Sequence, residues 1–382
     1  MSNRMQAIVK WPGGKISEAP KILPLIPDYS GRFIDPFVGG GAIYFSANIS
    51  RAAINDLSSE LIALYRYIQQ NDADFFSTLS ELNRKRQSLT AVFRPAWDTF
   101  TALFDELVHN GAGSEATSVQ IDRWTRANCD RFKLFVIDEL AEEVLREEFT
   151  KNVRRKMLRL RQLWAKNGGL KARDVVRNFE TAVHSAFYMY IRHLYNHASE
   201  LGLSPEQFTA CFYYLREFCY SSMFRFNAEG RFNVPYGGMA YNEKDFSQKI
   251  KRMRSQKYVD YLAKTEVYNL DFLGFLEEIQ PAEDDFIFLD PPYDSDFSSY
   301  DRNKFTASDH ERLAAYMART RARYLMVIKN TDFVEKLYGN LPGTRISAFD
   351  KKYMVSFQNR NDKQTEHLII TNYLPVHITT MF

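Results

Sequence analysis

Two short apolar runs constrain this chain more than anything else in it. One, Phe286-Ile287-Phe288-Leu289, leads straight into Asp290-Pro291-Pro292-Tyr293. The other ends in Asp35-Pro36-Phe37-Val38-Gly39-Gly40-Gly41. Each run has the length and composition of a buried strand. Each is stopped by residues that strands exclude: proline, which has no N–H, and glycine, which has no side chain to pack. Buried strands that end in such loops predict one α/β fold, with both loops at one edge of one sheet.

The flanking sequence extends this reading. Arg32 to Phe37 and Ala52 to Asn55 are strand-like, and Ser58 to Gln69 has helical spacing through Leu61, Leu64, Tyr65 and Ile68. Towards the other end, Thr265 to Leu270, Phe286 to Leu289, Tyr324 to Ile328 and His367 to Tyr373 are strand-like, and Ser308 to Thr320 and Asp332 to Tyr338 helix-like. The middle, roughly 70 to 222, is helical in pattern. It is acidic from Asp138 to Glu148, then carries ten Lys or Arg and one acid, Asp174, between Lys151 and Arg177. Such a run suits either a solvated helix face or a phosphate-tracking surface. Gly111 to Ser118 reads as a flexible loop. The expected domains are therefore 1–69 with 265–382, interrupted by 70–264.

Composition narrows the class without fixing it. At 382 residues and 45% hydrophobic the chain can bury a large core, and a net charge of +3 permits nucleic-acid binding without demonstrating it. Cys129, Cys211 and Cys219 have no metal-ligand spacing and fit a reduced, cytoplasmic protein. The first residues have no apolar signal-peptide core, and no run is long enough to span a membrane. His193 and His197 have the spacing of a helical zinc site but lack the glutamate that hydrolysis needs, so no metal is expected.

The loops suggest their own chemistry. Glycines after a strand let backbone approach a ligand closely. The spacing here is not that of a dinucleotide loop, and Asp35 disfavours phosphate. A carboxylate there suits a ligand bearing an ammonium or sulfonium. Asp56, 21 positions beyond Asp35, has the spacing of an acid that takes ribose hydroxyls. At the other loop, Asp290 and the Pro291 carbonyl could accept the two hydrogens of an exocyclic base amine. Proline stiffens the loop, and Tyr293 offers a face for an extruded base.

These segments, in this order, resemble the Dam-type, D12 class (alpha-group) DNA adenine-N6 methyltransferases. Lys10-Trp11-Pro12-Gly13-Gly14-Lys15 resembles the family's N-terminal cofactor motif, and Asp35 to Ala42 its glycine loop. Asn55-Asp56 resembles its ribose-binding acid, and Asn269-Leu270-Asp271-Phe272 the Asp-Phe pair near the cofactor adenine. Asp290 to Tyr293 resembles the catalytic loop, and Thr365 to Tyr373 the closing strand. Arg225-Phe226-Asn227 with Gly230 to Gly237 resembles a DNA-contacting β-hairpin, expected near 223–238.

The resemblance implies a Rossmann-like methyltransferase sheet with a large, mostly helical inserted DNA-recognition domain. It implies S-adenosyl-L-methionine as cofactor, held by Trp11, Lys15, Asp35, Phe37, Gly39, Gly40, Asp56, Asp271, Phe272 and Asp290. Catalysis would fall to Asp290, Pro291, Pro292 and Tyr293. Double-stranded DNA would be contacted by Lys10, Arg225, Phe226, Asn227, Arg231, Asn233 and Tyr236. A bacterial or phage-encoded monomer is expected, with room for a cognate restriction endonuclease as partner. GATC is the default target by resemblance alone. The insertion exceeds the family's usual recognition region and carries no motif we recognise. The alternatives are cytosine N4, RNA or a glutamine side chain as acceptor, and a silent DNA-binding regulator of the same fold.

Overall fold

The computed structural model describes residues 5–47, 49–109, 114–137, 139–292, 305–352 and 364–375. Its strands are β1 (Phe33–Asp35), β2 (Ala52–Asn55), β3 (Thr265–Tyr268), β4 (Phe286–Leu289), β5 (Arg323–Lys329), β6 (Arg345–Lys352) and β7 (Gln364–Thr371). They make one mixed seven-stranded sheet in the order β3-β2-β1-β4-β5-β7-β6. From β3 to β5 neighbouring strands are parallel; β7 runs antiparallel to both β5 and β6.

The α-helices in chain order are α1 (Ala19–Ile22), α2 (Ser59–Gln70), α3 (Ala73–Phe93), α4 (Trp97–His109), α5 (Ser114–Ala127), α6 (Cys129–Lys133), α7 (Glu142–Asn167) and α8 (Ala172–Asn196). They continue with α9 (Ala198–Leu201), α10 (Pro205–Phe218), α11 (Ser247–Met253), α12 (Gln256–Leu262), α13 (Phe272–Ile279), α14 (Ala307–Met317) and α15 (Asp332–Tyr338). The chain divides into two compact units, Met1–Gln70 with Ser255–Phe382, and Asn71–Arg254.

In the first unit the central parallel strands β1, β2 and β4 are buried on both faces, which is why β4 reads as an unbroken apolar run and not as an alternation. Ile34, Ile287, Leu289, Met326 and Ile328 pack with α13, α14 and α15 through Phe275, Leu313 and Tyr338. On α2, Leu61, Leu64, Tyr65 and Ile68 are all buried. Helix α14 starts in a capping box, with Thr306 and Asp309 each accepting the other's backbone N–H.

Three sequence expectations change here. The helix α12, expected in the insertion, packs on α2 in the sheet unit, and its Tyr261 hydroxyl donates to the Ala47 carbonyl at 2.9 Å. The strand β6 went unforeseen: its sequence, RISAFDKK, is charged at both ends, as suits an edge strand paired with β7 alone. Ser114 to Ser118 opens α5 instead of forming a loop; 111–113 fall outside the described residues.

The second unit is helical. α7 and α8 pack along each other, and α10 packs against α3 and α8. Phe93, Phe100, Trp124 and Phe149 stack between them, with Phe93 and Phe149 centroids 5.1 Å apart. Among the described residues no helix is long and apolar enough to cross a membrane, and no cluster of three or more His, Cys, Asp or Glu could hold a metal. Cys129, Cys211 and Cys219 are free thiols.

Candidate active site and nucleic-acid loop

In the sheet unit the two loops noted above lie at the carboxyl ends of neighbouring strands, since β1 pairs with β4, with Phe33 opposite Phe286 and Ile34 opposite Ile287. Asp35 ends β1 and is 2% exposed. Its Oδ1 accepts the Phe37 amide at 3.1 Å. Burial pushes its carboxyl well above the usual carboxylate range; the Phe37 amide opposes this, and Asp290 and Asp56 push the same way as burial.

The glycine loop folds back on the segment before it. Ile8 donates its amide to the Gly40 carbonyl at 3.3 Å. A Cβ on Gly40 would stand 2.3 Å from the Val9 carbonyl oxygen, and one on Gly39 (φ +49°) 2.7 Å from the Trp11 ring. Only glycine lets backbone and indole come this close. Asp56 reaches across from the end of β2. Its Oδ2 accepts the Gly39 amide at 3.1 Å and its Oδ1 the Ser58 amide at 2.9 Å.

Lys15 lies 1% exposed and joins the N-terminal motif to the second loop: Nζ donates to the Gly13 carbonyl at 2.9 Å and forms an ion pair with Asp290 Oδ1. Pro291 is buried and Pro292 exposed; Tyr293 lies outside the described residues. Phe37, Phe272 and Phe305 form a three-ring wall with centroids 5.4–5.5 Å apart. Asp271 caps α13 by accepting the Leu273 amide at 3.1 Å, and pairs with Arg312, whose guanidinium lies 4.9 Å from the Phe272 ring centre.

Two residues here were missed as site builders. Asn55 ties three strand ends together: Nδ2 donates to the Pro36 and Leu270 carbonyls at 3.1 and 3.0 Å, and Oδ1 accepts the Leu270 amide at 2.8 Å. A buried asparagine at a strand end beside an acid was the available signal. Tyr65 donates its hydroxyl to the Gly39 carbonyl at 3.0 Å. Nothing marked it among the helix's core residues.

In the helical unit, the expected hairpin is a loop with two isolated bridges, Phe226 to Phe232 and Cys219 to Tyr236, and no extended strand. Asn227 accepts the Arg231 amide on Oδ1 at 2.8 Å, and Arg225 Nε donates to Asn233 Oδ1 at 3.1 Å. Asn227 and Arg231 are exposed, and Arg225 and Asn233 half-buried. Phe226 and Tyr236 are the buried members of this set. They are 5% and 8% exposed; Phe226 packs on Phe224 and Phe232, and the Tyr236 hydroxyl donates to Asn242 at 3.2 Å. Apolar surface drives both rings inside, where they help to shape the loop. Lys10 is exposed in the sheet unit.

Helix α8 grips this loop by its backbone. Asn196 donates to the Phe232 carbonyl at 3.0 Å and accepts its amide at 2.8 Å, while the Tyr188 hydroxyl donates to the Val234 carbonyl at 2.9 Å. Arg86 of α3 is 1% exposed and donates to the Lys244 carbonyl at 2.6 Å, the Asn242 carbonyl at 3.1 Å and the Tyr241 carbonyl.

Comparison with known proteins shows the family. The sequence model of the family described as D12 class N6 adenine-specific DNA methyltransferase matches residues 11–98 and 156–356. The Type II methyltransferase M.CviBI of Paramecium bursaria Chlorella virus NC1A is 26% identical over 374 residues, covering 97% of this chain and 100% of the relative. The Type II methyltransferase M.MjaIII of Methanocaldococcus jannaschii is 25% identical over 390 residues, 97% of this chain and 99% of the relative. The Retron Ec67 DNA adenine methylase of Escherichia coli is 29% identical over 173 residues, 44% of this chain and 57% of the relative.

Proposed function

For a chain that belongs to the D12 class of N6 adenine-specific DNA methyltransferases, we propose that the β1 and β4 loops form the transfer site. One observation carries this. The sheet order reverses at β1 and β4: the chain goes from β1 to β2 on one side and to β4 on the other, and Asp35 ends the first strand while Asp290 directly follows the second. Ligands of open α/β sheets bind outside the carboxyl ends of the strands at such a switch point. The order, with β7 antiparallel, supports the Rossmann-like reading. We take the catalytic domain as 1–70 with 255–382, and 71–254 as the inserted recognition domain.

The residues fit S-adenosyl-L-methionine. Asp35 is buried at a cost that a cationic ligand beside it would relieve, and the glycine loop offers bare backbone. Asp35 and the loop would take the methionine end, Asp56 the ribose hydroxyls, and Phe37 and Phe272 the adenine; Trp11 and Lys15 close the loops around it. When bound, the cofactor supplies an electrophilic methyl on a sulfonium. The chain's own work is on the acceptor. The Asp290 carboxylate and the Pro291 carbonyl accept the two N6 hydrogens of an extruded adenine, which turns the nitrogen lone pair outward. Lys15 fixes the Asp290 carboxylate in place through its ion pair. Double-stranded DNA is the partner, read by Arg225, Asn227, Arg231 and Asn233, with the exposed Lys10 contributing a phosphate contact. The chain acts as a monomer.

The test is labelled-methyl transfer to unmethylated duplex DNA, followed by identification of the modified base. Asp290→Ala should lower turnover by roughly 10²–10³-fold, as loss of a preorganised acceptor does. Near-normal turnover in a folded Asp290→Ala protein overturns the assignment, and label on cytosine or on RNA alone overturns the substrate.

A further inference from the structure

Residues 99–155 lie between the two stretches that the family's sequence model matches. They build α4, α5, α6 and the first half of α7. Between α5 and α7 lies a cleft of about 780 Å³, which none of the site residues above lines. Its walls carry Arg126, Arg146, Lys151, Arg154, Arg155 and Arg159 against three carboxylates, Asp122, Glu143 and Glu147.

The charges do not cancel locally. Arg146 is answered by Glu142 and Glu143, and Lys151 by Glu148. Among the described residues Arg126, Arg154, Arg155 and Arg159 have no carboxylate within ion-pair reach, and all four are exposed. Arg155 and Arg159 donate only to neutral amides, those of Asn152 at 2.7 Å and Gln162 at 3.2 Å. On α7 the cations at 151, 154, 155 and 159 share one face by their three- and four-residue spacing. The acids Glu143 and Glu147 stand nearer the helix start, so the face passes from acidic to basic. Lys156 registers the crowding from the other side of the helix. It is half-buried with Nζ 3.5 Å from Asn178 Oδ1, and its pKa is lowered by burial first and then by Arg155 and Arg159.

Guanidinium groups match phosphate oxygens two at a time. A row of them along an open cleft suits an extended chain of phosphates better than a single small anion. We propose that the α5–α7 cleft is an accessory surface for the sugar-phosphate backbone of the substrate DNA, indifferent to base sequence. The proposal rests on the methyltransferase reading for the identity of the polyanion. It does not depend on which residues read the target.

The test uses the full-length chain with Arg126→Gln, Arg154→Gln and Arg159→Gln combined. Binding is measured over a range of salt on a short duplex holding one target site, and on a long duplex with the same site. KM is measured on both. The wild type should gain affinity as the duplex lengthens and the triple variant should not. On the long duplex the variant's slope of log affinity against log salt should be shallower by about 2–3, at ~0.9 for each phosphate no longer neutralised. Arg→Lys at the same three positions should restore that slope, which a folding defect would not allow. The modified adenine should stay the same. An unchanged slope on the long duplex overturns the proposal and leaves a solvated face. A wild type that binds with this slope but transfers no methyl keeps the cleft and defeats the enzymatic reading instead.

Discussion

The β1–β4 strand pair has a buried aspartate at each end, Asp285 and Asp35, and the two are held in opposite ways. At the amino ends, Asp285 accepts the Arg32 backbone amide at 2.6 Å, Arg32 Nη2 at 2.8 Å and the Ala282 amide at 2.9 Å. Burial alone would raise its carboxyl, but Arg32 and these amides outweigh burial and hold it below the usual range. At the carboxyl ends, Asp35 has one backbone amide within hydrogen-bond reach of Oδ1 and, among the described residues, no cation bonded to it, and burial with Asp290 and Asp56 outweighs that amide and the more distant Lys15 to hold its carboxyl above the usual range. The same residue type on the same two strands is satisfied at one end and left wanting at the other. The amino end fixes the strands; the carboxyl end is arranged for a charge that arrives with a ligand.

The largest expected effect comes from breaking the satisfied end. Asp285→Ala leaves a half-buried guanidinium and two backbone amides without their acceptor, and should cost about 3–5 kcal/mol in urea unfolding. A loss under about 1 kcal/mol, the range of an exposed pair, would erase the contrast between the ends. Next comes the glycine loop. Asp56→Ala should weaken S-adenosyl-L-methionine binding by about 1–3 kcal/mol in calorimetry, because the same carboxylate that would meet the ribose also holds the Gly39 amide. Unchanged affinity would remove Asp56 from the site.

The smallest effect has the opposite sign. Asp35 binds its proton more tightly folded than unfolded, so its contribution favours folding below the unfolded carboxylate value and is lost as pH rises through the raised folded value. Asp285 behaves in reverse: its contribution is present above the unfolded value and is lost as pH falls through the depressed one. Asp35→Asn should therefore melt slightly higher than wild type near neutral pH, with the gain disappearing in acid, while binding cofactor less well. A gain that grew towards acid would contradict the sign.

The same contrast explains what could be read in advance. Asp290 and the glycine loop were legible because proline and glycine announce a strand's end in the chain itself. Arg32 and Asp285 were not, because their pairing depends on β1 lying beside β4, which no local pattern states. The burial of Phe226 and Tyr236 was hidden for a related reason. A motif names residues that recur near a function, and burial decides whether a ring meets the ligand or holds up the loop that does. In the helical unit Asn196 serves that loop, and Arg86 the segment after it, through backbone carbonyls and amides, bonds that leave no trace in side-chain pairing.

The interrupted course of the sheet unit also sets a timetable for the nascent chain. When β1 and β2 leave the ribosome, the strands that flank them, β4 and β3, have not been made. All of 71–254 must be synthesised first, roughly 10–40 s at ordinary translation rates. By its end the helical unit has its whole sequence and can close, while Phe33 and Ile34 still wait with one open strand edge for a partner yet to be translated.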